Sequence, residues 1–148
     1  MKPIKLLIVL FSISTFSQTI DYNTKKGFGA EGYDVVSYFN NAPKEGKKEF
    51  TTEVDGVRYK FSSKENLTIF NNDPETYLPQ YGGYCAYAVA LKSKKVPVDP
   101  KTYKIINNKL YLFYNAWGTN TLELWDKENE DSLLVKGNQN WNIIKFEK

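Results

Sequence analysis

The stretch GVRYKFSSKENLTIFNNDPETYLPQYGGYCAYAVA, Gly56 to Ala90, sets the architecture, and the rest of the chain reads outward from it. Val57 to Phe61 is rich in β-forming residues, and Asp55-Gly56 separates it from another such run, Glu49 to Val54. Asp-Gly between two β-prone runs signals a hairpin, because both turn residues tolerate positive φ. Ser63 then supplies a helix N-cap, with Asn66, Leu67 and Phe70 following at helical spacing. Asp73-Pro74-Glu75 opens a second, brief helix, with proline at the position where a missing N–H costs nothing. Pro79 to Ala90, PQYGGYCAYAVA, bends at Gly82-Gly83 and runs into small residues suited to a short buried helix.

On the N-terminal side, GYDVVSYF (Gly32 to Phe39) reads as a strand or extended edge, since valines and aromatics favour a pleated surface. On the C-terminal side, Tyr103 to Ile106 and Leu110 to Tyr114 flank Asn107-Asn108-Lys109, a second hairpin with an asparagine turn. Asn115 to Lys148 reads as helical. The expected fold class is α+β: small hairpins packed with short helices, followed by a helical C-terminal third.

The chain has 148 residues, which favours one domain with a real hydrophobic core. Residues 1–17 carry two lysines, the apolar run Leu6 to Phe11 and then small residues, the order of a secretory signal peptide. That run is shorter than the ~20 residues a spanning helix needs. The expectation is an exported protein, periplasmic or secreted, without a membrane span once the leader is removed. Residues 18–31 form a polar N-terminal arm, and 32–148 the single domain. Without Lys2 and Lys5, 18 basic residues face 17 acidic ones, a balance that argues against a nucleic-acid partner.

There is no histidine, and the one methionine is Met1. Ser-His-Asp and Cys-His catalysis are excluded, as is His-ligated haem or zinc. One cysteine, Cys85, cannot close a disulfide within the chain, nor a zinc or iron–sulfur site with carboxylates alone. No catalytic residue, metal ligand or cofactor is therefore assigned.

What remains is the segment around Cys85. If Gly82-Gly83 opens a helix, Cys85 sits in its first turn, where the dipole would lower the thiol pKa. The other reading is a small residue buried between packed helices, as Ala86, Ala88 and Ala90 suggest. Tyr81, Tyr84 and Tyr87 recur every three residues and on a helix would form a drifting stripe. Such a stripe either lines a pocket for a flat or sugar-like ligand or belongs to the core.

GYDVVSYF, the Gly56–Ala90 stretch and KLYLFYN together resemble an exported member of the YHS domain family. The resemblance implies a treble-clef-like core. In metal-associated members it also implies cysteines in a DPVCGM-like first motif and an FCSxxC second motif. Here the first motif reads Asp34-Val35-Val36-Ser37-Tyr38-Phe39, with Ser37 at the cysteine position. The second reads Phe61-Ser62-Ser63-Lys64-Glu65-Asn66, with Ser62 and Asn66 in place of both cysteines. The implied metal role does not carry over to residues that lack the ligands. The expected function is an exported, non-catalytic domain that binds an unidentified small ligand or protein partner around Tyr81, Tyr84, Cys85 and Tyr87. Asp34 of the first motif is a further candidate binding residue. The alternative is a thiol-dependent redox or metal-handling protein using Cys85, across a dimer.

Overall fold

A computed structural model describes residues 19–148, so the leader expected at 1–17 lies outside the described residues. The architecture is α+β. Strands β1 (Thr24–Lys25), β2 (Phe28–Gly29), β3 (Lys47–Val54) and β4 (Val57–Phe61) form one sheet in the order β1-β2-β4-β3. Helices α1 (Lys64–Asn72), α2 (Pro74–Tyr77) and α3 (Ala86–Lys92) follow. Then come the hairpin β5 (Asp99–Ile106) and β6 (Lys109–Phe113), the small hairpin β7 (Asn115–Ala116) and β8 (Thr119–Asn120), and helices α4 (Thr121–Trp125) and α5 (Glu130–Ile144).

The β3–β4 turn forms at Asp55-Gly56 with φ of 53° and 77°, pairing Val54 with Val57. Alternation along β4 buries Val57, Tyr59 and Phe61 and turns Arg58 and Lys60 to the other face. Ser63 caps α1, its Oγ accepting from the Asn66 N–H at 3.2 Å. The cap fixes α1 so that Phe70 enters the core against Phe61, with ring centres 4.9 Å apart, and against Tyr59 at 5.6 Å. Asn107 and Asn108 take the left-handed turn between β5 and β6, with φ of 50° and 58°.

Three expectations are corrected. Gly32 to Phe39 is not a strand: 3-10 turns occupy Ala30–Gly32 and Ser37–Asn40, with irregular chain between. The β-forming residues there are core filler, Val35 and Tyr38 being fully buried. The Asp34 side chain takes the N–H groups of Val36 and Ser37 (3.0 and 3.3 Å), a local bond that competes with a strand ladder. The C-terminal third is not wholly helical, because Trp117 and Gly118 adopt positive φ and fold Asn115 to Asn120 into a hairpin. Finally, Tyr81, Gly82 and Gly83 all have positive φ, so the chain coils left-handed and α3 begins only at Ala86. The three tyrosines therefore share no helical stripe.

The polar arm is tied into the same body. Asp21 donates its N–H to the Lys145 carbonyl (2.8 Å), Asn23 to that of Gly82 (2.9 Å), and β2 pairs in parallel with β4. One core lies beneath the sheet around Tyr38, Phe61 and Phe70. A second lies between α3, α5 and β6 around Trp125, Phe113 and Leu133.

Candidate functional site

Asp34 is completely buried, and its carboxylate has no cationic partner among the described residues. A buried charge is tolerated only when its oxygens are satisfied. Here five donors converge on it. Oδ1 accepts from the Val36 and Ser37 N–H groups. Oδ2 accepts from the Ser62 N–H (2.9 Å), the Ser62 hydroxyl (2.6 Å) and the Asn66 amide (2.7 Å). The Ser37 hydroxyl donates to the Asp34 carbonyl (2.6 Å) and accepts from the Lys44 N–H (3.0 Å). One carboxylate thus clasps the first motif to the end of β4 and the first turn of α1. Beside this clasp opens a cavity of about 490 Å³, bordered by Ser37, Asn40, Lys44, Lys47, Ser62 and Asn66.

The tyrosine–cysteine segment does not gather into one site. Tyr81 is buried against Tyr111 and Trp141, its hydroxyl 3.2 Å from Asn138 Oδ1, and burial pushes its phenol pKa up. Tyr87 is half-buried and packs against both cores. Cys85 is fully buried at the N-cap of α3, its own N–H donated to the Val96 carbonyl at 2.9 Å. Its Sγ lies 3.3 Å from Thr121 Oγ1. The single Thr121 hydroxyl proton is committed to the Tyr114 carbonyl at 2.8 Å, so the Cys85 thiol is the donor in that contact. Tyr84 borders a cleft of about 450 Å³, and its hydroxyl is held by Asp21 Oδ2 at 2.7 Å. Lys95 pairs with the same oxygen at 3.1 Å and sits over the Tyr84 ring. Burial, then the bond to Asp21, raises the Tyr84 pKa.

The position of the clasp is the telling observation, because it is formed at the motif positions named from the sequence. Residues 38–81 match the YHS domain family. The chain carries a YHS domain. Ser62 and Asn66 lie inside the matched stretch, Asp34 and Ser37 just before it, and Tyr84, Cys85 and Tyr87 beyond it. No curated protein and no solved structure matches the chain.

A metal role associated with YHS domains does not fit the donors present. The Asp34 oxygens already face five hydrogens, three of them on backbone amides that cannot turn away. Their neighbours Ser37, Ser62 and Asn66 are neutral oxygen donors, poor ligands for a soft ion. Among the described residues no group of three or more His, Cys, Asp or Glu side chains converges. Sequence reasoning singled out Asp34 but saw its partners only as positions that had lost cysteines. The usable signal was that all three replacements are small hydrogen-bonding residues, which suits a carboxylate better than an ion.

Proposed function

We propose that the protein is an exported, non-catalytic binding domain that takes a small polar ligand in the cavity beside the Asp34 clasp. The supporting observation is that cavity's place: it opens where Ser37, Ser62 and Asn66 meet, at the cysteine positions of metal-associated relatives. Its size lies in the ~300–1,000 Å³ range of small-molecule sites. Lys44, Lys47 and Asn40 offer donors at its border, where Ser37, Ser62 and Asn66 are held by their bonds to Asp34. Export rests on the leader in residues 1–17. The reading moves the ligand away from the tyrosine segment, since Tyr81 and Cys85 are buried and the Tyr84 hydroxyl is already engaged. A thiol-based role at Cys85 has the weaker support, because the residue is fully buried.

The test is an amide chemical-shift titration of the mature protein with pools of amino acids, dicarboxylates and neutral sugars, repeated with Asn40→Ala and Lys47→Gln. Saturable shifts confined to residues 37–47 and 62–66, weakened in both variants, are expected. Shifts centred on Tyr84 and Lys95, or none with any pool, would overturn the reading.

A further inference from the structure

A second cavity, of about 840 Å³, lies where the β1–β2 hairpin meets the outward face of β4. Of its border, only Glu45 also borders the cavity beside Asp34. The parallel β2–β4 pairing sets Phe28 opposite Arg58, and strand alternation brings Arg58 and Lys60 out on one face. The Arg58 guanidinium carbon lies 4.6 Å from the centre of the Phe28 ring, and Lys60 Nζ lies 5.1 Å from it. Two glycines leave room for these cations: a Cβ on Gly27 would lie 2.6 Å from Arg58 Nη2, and one on Gly32 would collide with the Lys60 stem.

Lys25, Lys26 and Lys48 complete five cations around the cavity, against the carboxylates of Glu31 and Glu45. Glu31 is taken by Lys25 at 2.6 Å. Among the described residues Lys26, Lys48, Arg58 and Lys60 make no ion pair. Arg58 is the only arginine in the chain, a planar fork suited to bidentate binding of oxyanions. Glu53, opposite Arg58 in the β3–β4 register, and Asp99, whose charge acts on Lys25, lie nearby, yet the five cations still outnumber the four carboxylates and repel one another until an anion enters. They are not focused on one point. Strand order places Lys25 on β1, Arg58 and Lys60 on β4 and Lys48 on β3, across a sheet of four strands spaced at ~4.8 Å. A single phosphate cannot span that width, whereas a chain of linked acidic units can. Tyr33 and Pro100 add apolar surface to the wall.

We propose that this cleft binds an anionic oligosaccharide, a short run of sugars bearing carboxylate or sulfate groups. Arg58 grips one acidic group, and Lys26, Lys48 and Lys60 engage its neighbours. A concave site suits such a chain better than it suits a flat lipid surface.

The experiment is calorimetric titration of the mature protein with four probes: a galacturonate tetramer, a heparin-derived tetrasaccharide, neutral maltotetraose and inorganic phosphate. At least one charged tetramer is expected to bind, and which one distinguishes carboxylate from sulfate. Arg58→Met, which keeps an apolar stem over Phe28, should weaken that binding about tenfold or more. Lys60→Gln should weaken it less, and the remote Lys136→Gln on α5 should leave it unchanged. Raising ionic strength from about 0.01 M to about 0.15 M should also weaken it, as the Debye length falls from ~30 to ~8 Å. The proposal is overturned if neither charged tetramer binds, if maltotetraose or phosphate binds as tightly, or if Arg58→Met binds like wild type. Tighter binding to single-stranded DNA or to anionic vesicles would overturn it too.

Discussion

At the scale of single residues, Asp34 carries the heaviest obligation. Removing its carboxylate strands five donors, most of them in buried backbone or in side chains shaped to it. Asp34→Ala is expected to cost roughly 3 kcal/mol or more, read from urea unfolding, since each orphaned buried donor forfeits ~1–3 kcal/mol. Asp34→Asn should be destabilising as well despite its matched size, because its amide group would point hydrogens at N–H donors. Wild-type stability in both variants would show that the clasp is decorative. Cys85 makes the opposite kind of prediction. Sealed against Thr121, it should resist iodoacetamide in the native protein and react fully once urea unfolds the chain. Fast native alkylation would return the thiol reading to favour. Both residues stood out in the sequence, for different reasons, yet neither environment was legible there. A lone cysteine looks the same whether exposed or buried, and the donors of Asp34 come from residues up to 32 positions away.

At the scale of elements, local chemistry was a good guide where the deciding interaction is local. The Asp55-Gly56 turn, the Ser63 cap and the Asn107-Asn108 turn each depend on a few adjacent residues, and each forms as read. Gly32 to Phe39 misled because tertiary burial, rather than strand pairing, explains its apolar residues. The tyrosine periodicity misled because positive φ at Tyr81 breaks the helical phase. Gly137 shows what periodicity hides. It is buried inside α5, where glycine costs ~1 kcal/mol relative to alanine. The reason lies across the interface: a Cβ there would press on the Tyr81 hydroxyl and lie 2.8 Å from Tyr81 Cζ. Gly137→Ala should therefore destabilise the protein by about 1–3 kcal/mol in thermal unfolding, overpacking outweighing the propensity gain. Combining it with Tyr81→Phe, which removes the nearest atom, should cost less than the two changes summed. Stabilisation by Gly137→Ala would show that α5 does not need this close approach.

At the scale of the whole molecule, the chain ends and the phenols together shape how stability follows pH. Burial alone would raise the Asp21 pKa, but the Tyr84 hydroxyl and the Lys95 ammonium outweigh it and hold the carboxyl below its ordinary value. Lys104, opposed by partial burial, likewise holds Glu130 low. A carboxyl depressed by folding contributes stability that is present above its unfolded pKa, near 4, and is lost as pH falls through the folded value. On the alkaline side the groups are tyrosines, together with Lys104 and Lys25, held above their ordinary values by Glu130 and Glu31. Burial raises Tyr38, Tyr59, Tyr81, Tyr84 and Tyr111, and burial with the Asp55 contact pushes Tyr22 up to about 12. A phenol raised by folding gives stability that is complete below its unfolded pKa, near 10, and disappears as pH climbs toward the folded value. Stability should thus be flat from about pH 5 to about pH 9 and fall on both sides. Above about pH 10, part of the phenolate absorbance change should coincide with loss of circular dichroism in one steep step, because the buried rings of Tyr38, Tyr59, Tyr81 and Tyr111 ionise only as the cores open. Tyr84→Phe dissects the acid limb. It removes the hydrogen bond to Asp21 but leaves Lys95 in place, so the Asp21 pKa should move back up. The variant should then be less stable at neutral pH and lose less stability on acidification, over a narrower window between the unfolded value near 4 and the raised folded value, while the alkaline limb loses only one phenol. An acid limb unchanged in Tyr84→Phe would mean that Asp21, Tyr84 and Lys95 do not join the two ends of the chain energetically.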